Sequence, residues 1–166
     1  MRRQQLLHAL ETAKEPLSGT YLADLFGVSR QVIVQDVALL RAEGHSIEST
    51  MRGYRIARPS LGVRDAFGVR HGPEATELEL GTLVDLGIAV IDVVVYHPIY
   101  GELHGGLDLR SRRDVAQFME RLREERTMLL SALTHGAHVH TVEARDRETL
   151  SAGRSALREL GMLDEG

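Results

Sequence analysis

The sequence predicts an α+β protein in two parts: an N-terminal winged helix-turn-helix followed by a two-layer α/β sandwich. Three observations carry that prediction. Residues 17–44, LSGTYLADLFGVSRQVIVQDVALLRAEG, hold two helical apolar patterns separated by a glycine turn. The stretch that follows, HSIESTMRGYRIAR at 45–58, has Ile47, Tyr54 and Ile56 around an Arg52-Gly53 turn, a hairpin where a winged helix carries its wing. From residue 66 onward the elements alternate in the order β-α-β-β-α-β-β-α, which lays helices on one face of a largely antiparallel sheet.

The chain opens with a helix over Arg2 to Ala13, with Leu6, Leu7 and Leu10 facing inward and Pro16 beyond its end. A short helix, Thr20 to Phe26, carries Leu22, Ala23 and Phe26 at helical spacing, and Gly27 suits a turn that needs positive φ. Ser29 is an N-cap for a second helix reaching about Glu43, with Gly44 to end it. Ile33, Val37 and Leu40, with Val28, form its buried stripe. Arg30, Gln31, Val32, Val34 and Gln35 fall on the opposite face. Arg pairs with guanine, Gln with adenine, and a small apolar group meets a thymine methyl in a major groove. A plain helical hairpin with a solvated face is the alternative, but turn, cap and stripe agree on DNA. Arg52 at the wing tip either reaches a phosphate or is a solvated turn residue.

Charge supports the division. Within totals of 20 Lys/Arg and 24 Asp/Glu, residues 1–58 hold 8 and 6, and the remainder 12 and 18. A positive head beside an acidic remainder suits DNA binding by the head alone. The chain has no cysteine, which excludes disulfides and thiolate metal sites. The longest apolar run, Gly87 to Tyr96, contains Asp92 and is too short to span a bilayer, so no membrane partner and a cytoplasmic location are expected.

The expected domains are 1–58 and 66–166, joined by a linker at 59–65, PSLGVRD. In the second domain Phe67 to His71 reads as a strand, and Pro73 with Glu74 and Glu77 starts a helix ending at Gly87. Val90 to Tyr96 is a strand apolar on both faces except at Asp92. Residues 97–101, HPIYG, form a turn. Glu102 to Leu109 alternates, with Leu103, Leu107 and Leu109 on one side and Glu102, His104 and Asp108 on the other. Ser111 to Asp114 is a capping box for a helix with the stripe Val115, Phe118, Met119 and Leu122. Met128 to Leu133 and His138 to Glu143 read as a hairpin around His135-Gly136-Ala137. Asp146 caps a last helix with Leu150, Leu157 and Leu160 inward.

Parity singles out four polar residues. His138 and His140 share a strand face with Val142, and His71 shares one with Phe67 and Val69. Glu79 lies between Ala75 and Leu83 on a helical stripe that should face the sheet. Three imidazoles and a carboxylate on covered faces suit a borderline divalent ion such as zinc or nickel. Separate, hydrogen-bonded core histidines are the other reading of the same spacing. Catalytic signatures are missing: there is no G-x-S-x-G, no H-E-x-x-H and no phosphate-binding glycine loop, so the chain reads as a non-enzyme.

The head is similar to the winged helix-turn-helix of the biotin-repressor type. The segments VRHGPE (69–74), HPIYGELHGGLD (97–108) and HVHTVEA (138–144) resemble the 3H domain, named for its histidines. Together they resemble the niacin-responsive transcriptional repressors of NAD biosynthesis and niacin uptake genes, over nearly the whole chain. That resemblance implies a homodimer on double-stranded operator DNA, with nicotinic acid as co-repressor and nickel or zinc held in an HPr-like 3H domain. The family's metal ligands fall on His71, Glu79, His138 and His140. His104 is a departure, since relatives are expected to carry a basic residue such as Arg there. The DNA-binding residues are then Ser29, Arg30, Gln31, Val32, Gln35 and Arg52, and His97 and Tyr100 are candidate walls of the ligand pocket. Two rival classes stand beside this one: a regulator whose signal is metal alone, and a metal-dependent enzyme with a DNA-binding head.

Overall fold

The computed structural model describes residues 1–60 and 62–166, and the chain divides into two compact units, Met1–Pro59 and Ser60–Gly166. The first unit holds α1 (Arg2–Thr12), α2 (Gly19–Phe26), α3 (Arg30–Ala42) and an antiparallel hairpin of β1 (Ile47–Thr50) and β2 (Gly53–Ile56). Its core is the set the helical periods mark: Leu6, Leu10, Leu22, Ala23, Ile33, Val37 and Leu40, joined by Ile47 from the wing. Gly27 ends α2 at φ 64, a left-handed conformation that costs a residue without Cβ little and lets the chain turn at once into α3. Leu17 and Tyr54 exchange backbone hydrogen bonds of 2.9 Å in both directions, so the chain ahead of α2 is stitched to the wing. One contact was not expected. Asp36 of α3 is buried, and Arg2 grips it through Nε at 2.7 Å and Nη2 at 3.1 Å.

The second unit holds β3 (Val63–Arg70), α4 (Thr76–Asp85), β4 (Ala89–His97), β5 (Gly101–Leu109), α5 (Arg112–Glu124), β6 (Ala137–Ala144) and α6 (Arg147–Glu159). The sheet order is β3-β6-β4-β5 and every neighbouring pair is antiparallel. Helix α4 packs on β4, α6 packs on β3 and β6, and α5 packs against α4. Phe67, Val69, Leu80, Leu83, Ile88, Val90, Leu109, Val142 and Leu157 form the core between the layers. Ser111 and Asp146 cap α5 and α6 as expected, each accepting from the backbone N–H three residues on.

Four expectations are corrected. The stretch Met128 to Leu133 is not a strand; Leu130–Thr134 is a 3-10 turn, so the order is β-α-β-β-α-β-α. A short apolar run does not distinguish the two by period, and both flanks of β6 are already paired, by β3 and β4. The linker at 59–65 overlaps β3, because Val63 and Arg64 pair with Ala144 and Glu143 of β6, and Arg64 Nε donates to Glu143 at 2.8 Å; Leu61 of that stretch lies outside the described residues. Pro73 opens a 3-10 turn, Pro73–Ala75, before α4, and His71 follows the end of β3 rather than lying in it. Asp108 is buried rather than exposed with His104. It takes φ 60 where β5 carries an extra residue against β4, which breaks the alternation, and it accepts from Arg110 Nε at 2.8 Å.

Candidate DNA-reading helix and histidine–carboxylate cluster

Ser29 caps α3, its hydroxyl accepting from the Val32 N–H at 3.3 Å. That cap sets the first turn of α3, where Arg30, Gln31, Val34 and Gln35 are exposed. Val32 is half-buried, so the apolar element of the presented face is Val34. Arg52 is half-buried at the hairpin turn, and its N–H donates to Thr50 Oγ1 at 3.1 Å. The arrangement presents one polar helix face with rigid caps, the form that enters a major groove.

In the second unit all four residues marked by parity converge. His138 and His140 come from β6, Glu79 from α4, and His71 from the segment leaving β3. The His71 Nε2 hydrogen-bonds Glu79 Oε2, His138 Nε2 lies 3.4 Å from the same oxygen, and His140 Nε2 lies 2.9 Å from Oε1. The rings stand edge to face, with centroids 4.8 Å apart for His71–His138 and for His138–His140. His71, Glu79 and His138 each offer a ligand atom within 4.8 Å of one another. Each ring is held from behind: Nδ1 of His71 donates to the Gly72 carbonyl, Nδ1 of His138 to Gly136 and Nδ1 of His140 to Asp92, all at 2.8 Å. With Nδ1 committed to a carbonyl, Nε2 faces inward, carrying a proton toward Glu79 in the protonated ring and a lone pair in the neutral one, the usual support for a metal-ligating histidine. Gly136, at φ 93, also accepts from the His71 N–H at 3.3 Å, so this one turn ties two of the histidines together.

The electrostatics follow from burial. Burial opposes the charge on Glu79, but the imidazoles of His140, His138 and His71 outweigh it and hold the carboxyl well below its ordinary range. Burial likewise opposes protonation of His71 and His140, and the Glu79 carboxylate overcomes it, so both are raised. Even so, Glu79 Oε1 and His140 Nε2, 2.9 Å apart, are buried and meet only as an ion pair, neither completing a hydrogen bond of regular geometry. Two buried polar atoms without a regular hydrogen bond, inside a cluster of inward-facing nitrogens, fit a cation once the rings are neutral: the donor set is right for zinc or nickel.

A cavity of about 30 Å³ opens beside the cluster. Its apolar walls include Leu80, Val93, Leu107, Phe118 and Leu130, and Glu79, His138 and His140 form its polar end. Thr76 also lines it; its Oγ1 is buried without a partner. Thr76, unmarked in the sequence reading, sits one helical turn before Glu79, and that shared helix face is the one signal for it in the sequence. Gly105 packs closely against two of these walls: a Cβ there would come within 3.1 Å of Leu130 and 3.3 Å of Val93 and would press on them. His97 and Tyr100 do not line this cavity. They form the β4–β5 turn, where His97 Nδ1 accepts from the N–H groups of Ile99 at 3.1 Å and Tyr100 at 3.3 Å, and Tyr100 is exposed.

A capped helix-turn-helix with a wing, joined to a separate domain that gathers three imidazoles on a buried carboxylate beside a cavity, is the build of a DNA-binding regulator. The sequence matches the HTH domain family over residues 2–55 and the 3H domain family over residues 64–165. It is 42% identical over 164 residues to the probable transcription repressor NiaR of Thermotoga maritima, spanning 99% of this chain and 94% of that protein. It is 40% identical over 166 residues to the transcription repressor NadR of Bacillus subtilis, spanning 98% and 92%. The chain belongs to the 3H-domain family of transcription repressors. Among the described residues no helix is long and apolar enough to cross a membrane.

Proposed function

We propose that this repressor uses nicotinic acid as co-repressor and holds nickel or zinc through His71, Glu79, His138 and His140, as a homodimer controlling genes of NAD biosynthesis or niacin uptake. The observation that carries the reading is the convergence of three backbone-anchored imidazoles on one buried carboxylate, beside a cavity with an orphaned hydroxyl. A bound ion of this kind would supply a Lewis-acidic position open to a pyridine nitrogen. The apolar walls would stack against the ring and exclude water, and Thr76 Oγ1 would donate to a carboxylate. The cavity as it stands has room for on the order of two waters, so ring entry requires the side chains of Phe118, Leu129 and Leu130 to give way. That movement is a physical origin for a signal, because an effector shifts an equilibrium only by binding one arrangement better than the other. In a two-fold dimer the α3 helices would read half-sites ~34 Å apart or a multiple of it.

Calorimetric titration of the metal-loaded protein with nicotinic acid, with nicotinamide as control, tests this. Saturable binding that is lost in His138→Ala and His140→Ala supports it. Gly105→Ala should weaken nicotinic acid while leaving metal affinity intact. Absence of binding in metal-loaded protein removes the organic effector. The small cavity favours a second reading in that event, a repressor whose signal is the metal itself; metal-dependent DNA binding without nicotinic acid is its signature.

A further inference from the structure

Asp92 is the one acid in a strand otherwise built of apolar residues, AVIDVVVY over 89–96, and it is buried. Its position is irregular. Val90 and Val94 of β4 face Val142 and Val139 of β6, so β4 carries one residue more than its partner across this interval. At such a bulge the regular exchange of backbone hydrogen bonds is broken. Here the broken ladder is re-made with the groups exchanged. The Asp92 carboxylate, through Oδ1, accepts from the Thr141 N–H at 2.9 Å, a backbone donor of β6. The Asp92 backbone carbonyl, relieved of the ladder, accepts from Nδ1 of His140 at 2.8 Å. The other carboxylate oxygen, Oδ2, is met by His104 Nε2 at 2.7 Å.

We propose that Asp92, supported by His104, is a positioning residue for His140: its side chain takes over the strand's hydrogen bond so that its main chain is free to orient the imidazole. This rests on the cluster being a metal site, since orienting His140 Nε2 matters most if that atom is a ligand. The physical reason for a side-chain acceptor at this position follows. A buried N–H left without an acceptor is costly, so an apolar residue at 92 would pull the strand back toward regular pairing and draw its carbonyl away from His140. An Asn retains an acceptor oxygen of the same reach and should serve nearly as well.

The full-length protein is tested as Asp92→Ala, Asp92→Asn and His104→Ala. Nickel and zinc affinities are measured by calorimetry at a temperature where circular dichroism shows each variant folded. Loss of an outer partner of a ligating histidine lowers metal affinity ~10–100-fold, so Asp92→Ala should fall in that range, His104→Ala should lose less, and Asp92→Asn should stay close to the parent. Two readouts are independent of metal. Amide hydrogen exchange of Thr141 should accelerate in Asp92→Ala and stay protected in Asp92→Asn. Nitrogen-15 correlation spectra of the imidazoles should show His140 protonated at Nδ1 in the parent and losing that preference in Asp92→Ala. If the parent binds neither metal, the metal reading fails, and these two readouts still decide the role of Asp92. Unchanged Thr141 exchange and an unchanged His140 ring in Asp92→Ala overturn the proposal. So does an Asp92→Asn variant as impaired as Asp92→Ala, which would make the charge the operative property.

Discussion

The two units place polar chemistry in opposite settings. In the head the groups proposed to read DNA, Arg30, Gln31 and Gln35, are exposed on one face of one helix, and their placement follows from a cap and a period within a few residues. In the second unit His138, His140 and Glu79 are buried and come from elements far apart in sequence. An exposed group can be exchanged with little effect on its neighbours, because water takes over its hydrogen bonds. A buried ligating group is held by others and holds them, so its removal is felt as stability as well as binding. The head is therefore a surface that can change its sequence preference cheaply. The second unit is a site whose chemistry and fold are tied together.

The largest break in that comparison should come from Glu79→Ala. Removing one partner of a buried charged cluster costs roughly 3–5 kcal/mol, and urea unfolding of the second unit in chelator should show a loss of that order. An unchanged midpoint would mean that the cluster is as forgiving as the head. Metal titration should show the affinity falling with it.

The pH dependence of that unit, in chelator, sharpens the point. Glu79 is held below its ordinary value near 4.5, so its contribution is present above that pH and is lost as the solution is acidified toward its folded value. His71 and His140 are raised above their ordinary 6.5, so their contribution is full below 6.5 and is lost as pH rises through their folded values. The melting temperature should peak on the acidic side of neutrality, between those two ordinary values, and decline above it. Added nickel or zinc should remove the decline, because ligation needs the neutral rings. A profile that rises steadily through neutral pH would sink this account.

Smaller effects belong to the head. Gln31→Ala should relax preference at one base pair, by ~1–3 kcal/mol if the contact is bidentate to adenine, with metal binding and melting unchanged. Equal weakening on every sequence would reassign Gln31 to the phosphate backbone. Ser29→Ala, which removes the cap on α3, should lower the stability of the head by about 1 kcal/mol. That loss should appear in thermal unfolding and leave the ranking of operator sequences unaltered.

How much was legible differs between the regions for the same reason. Turn, caps, buried stripe and wing of the head are local, and each is where the sequence puts it; only Val32, half-buried, and the Arg2–Asp36 pair depart from that reading. In the second unit strand parity marks His138 and His140, because alternation survives any pairing; His71 lies just past the end of β3, so its inward placement comes from the turn rather than from the strand. Parity fails at the bulges, where Asp108 turns inward, and it says nothing of which carbonyl stands behind each Nδ1. The run at Leu130–Thr134 and the early start of β3 are likewise set by which strand edges are available.

From its sequence alone this chain determines a winged helix-turn-helix with a defined recognition face, and four residues placed to meet. Those features rest on periods, caps and turns that each segment carries within itself. Only the tertiary structure decides that the four residues do meet, that each imidazole presents Nε2 inward, and that Thr76 and Asp92 complete the surroundings. The reason is that a buried donor takes whichever acceptor the packing delivers, and strand register and bulges, not neighbours in sequence, determine which one that is.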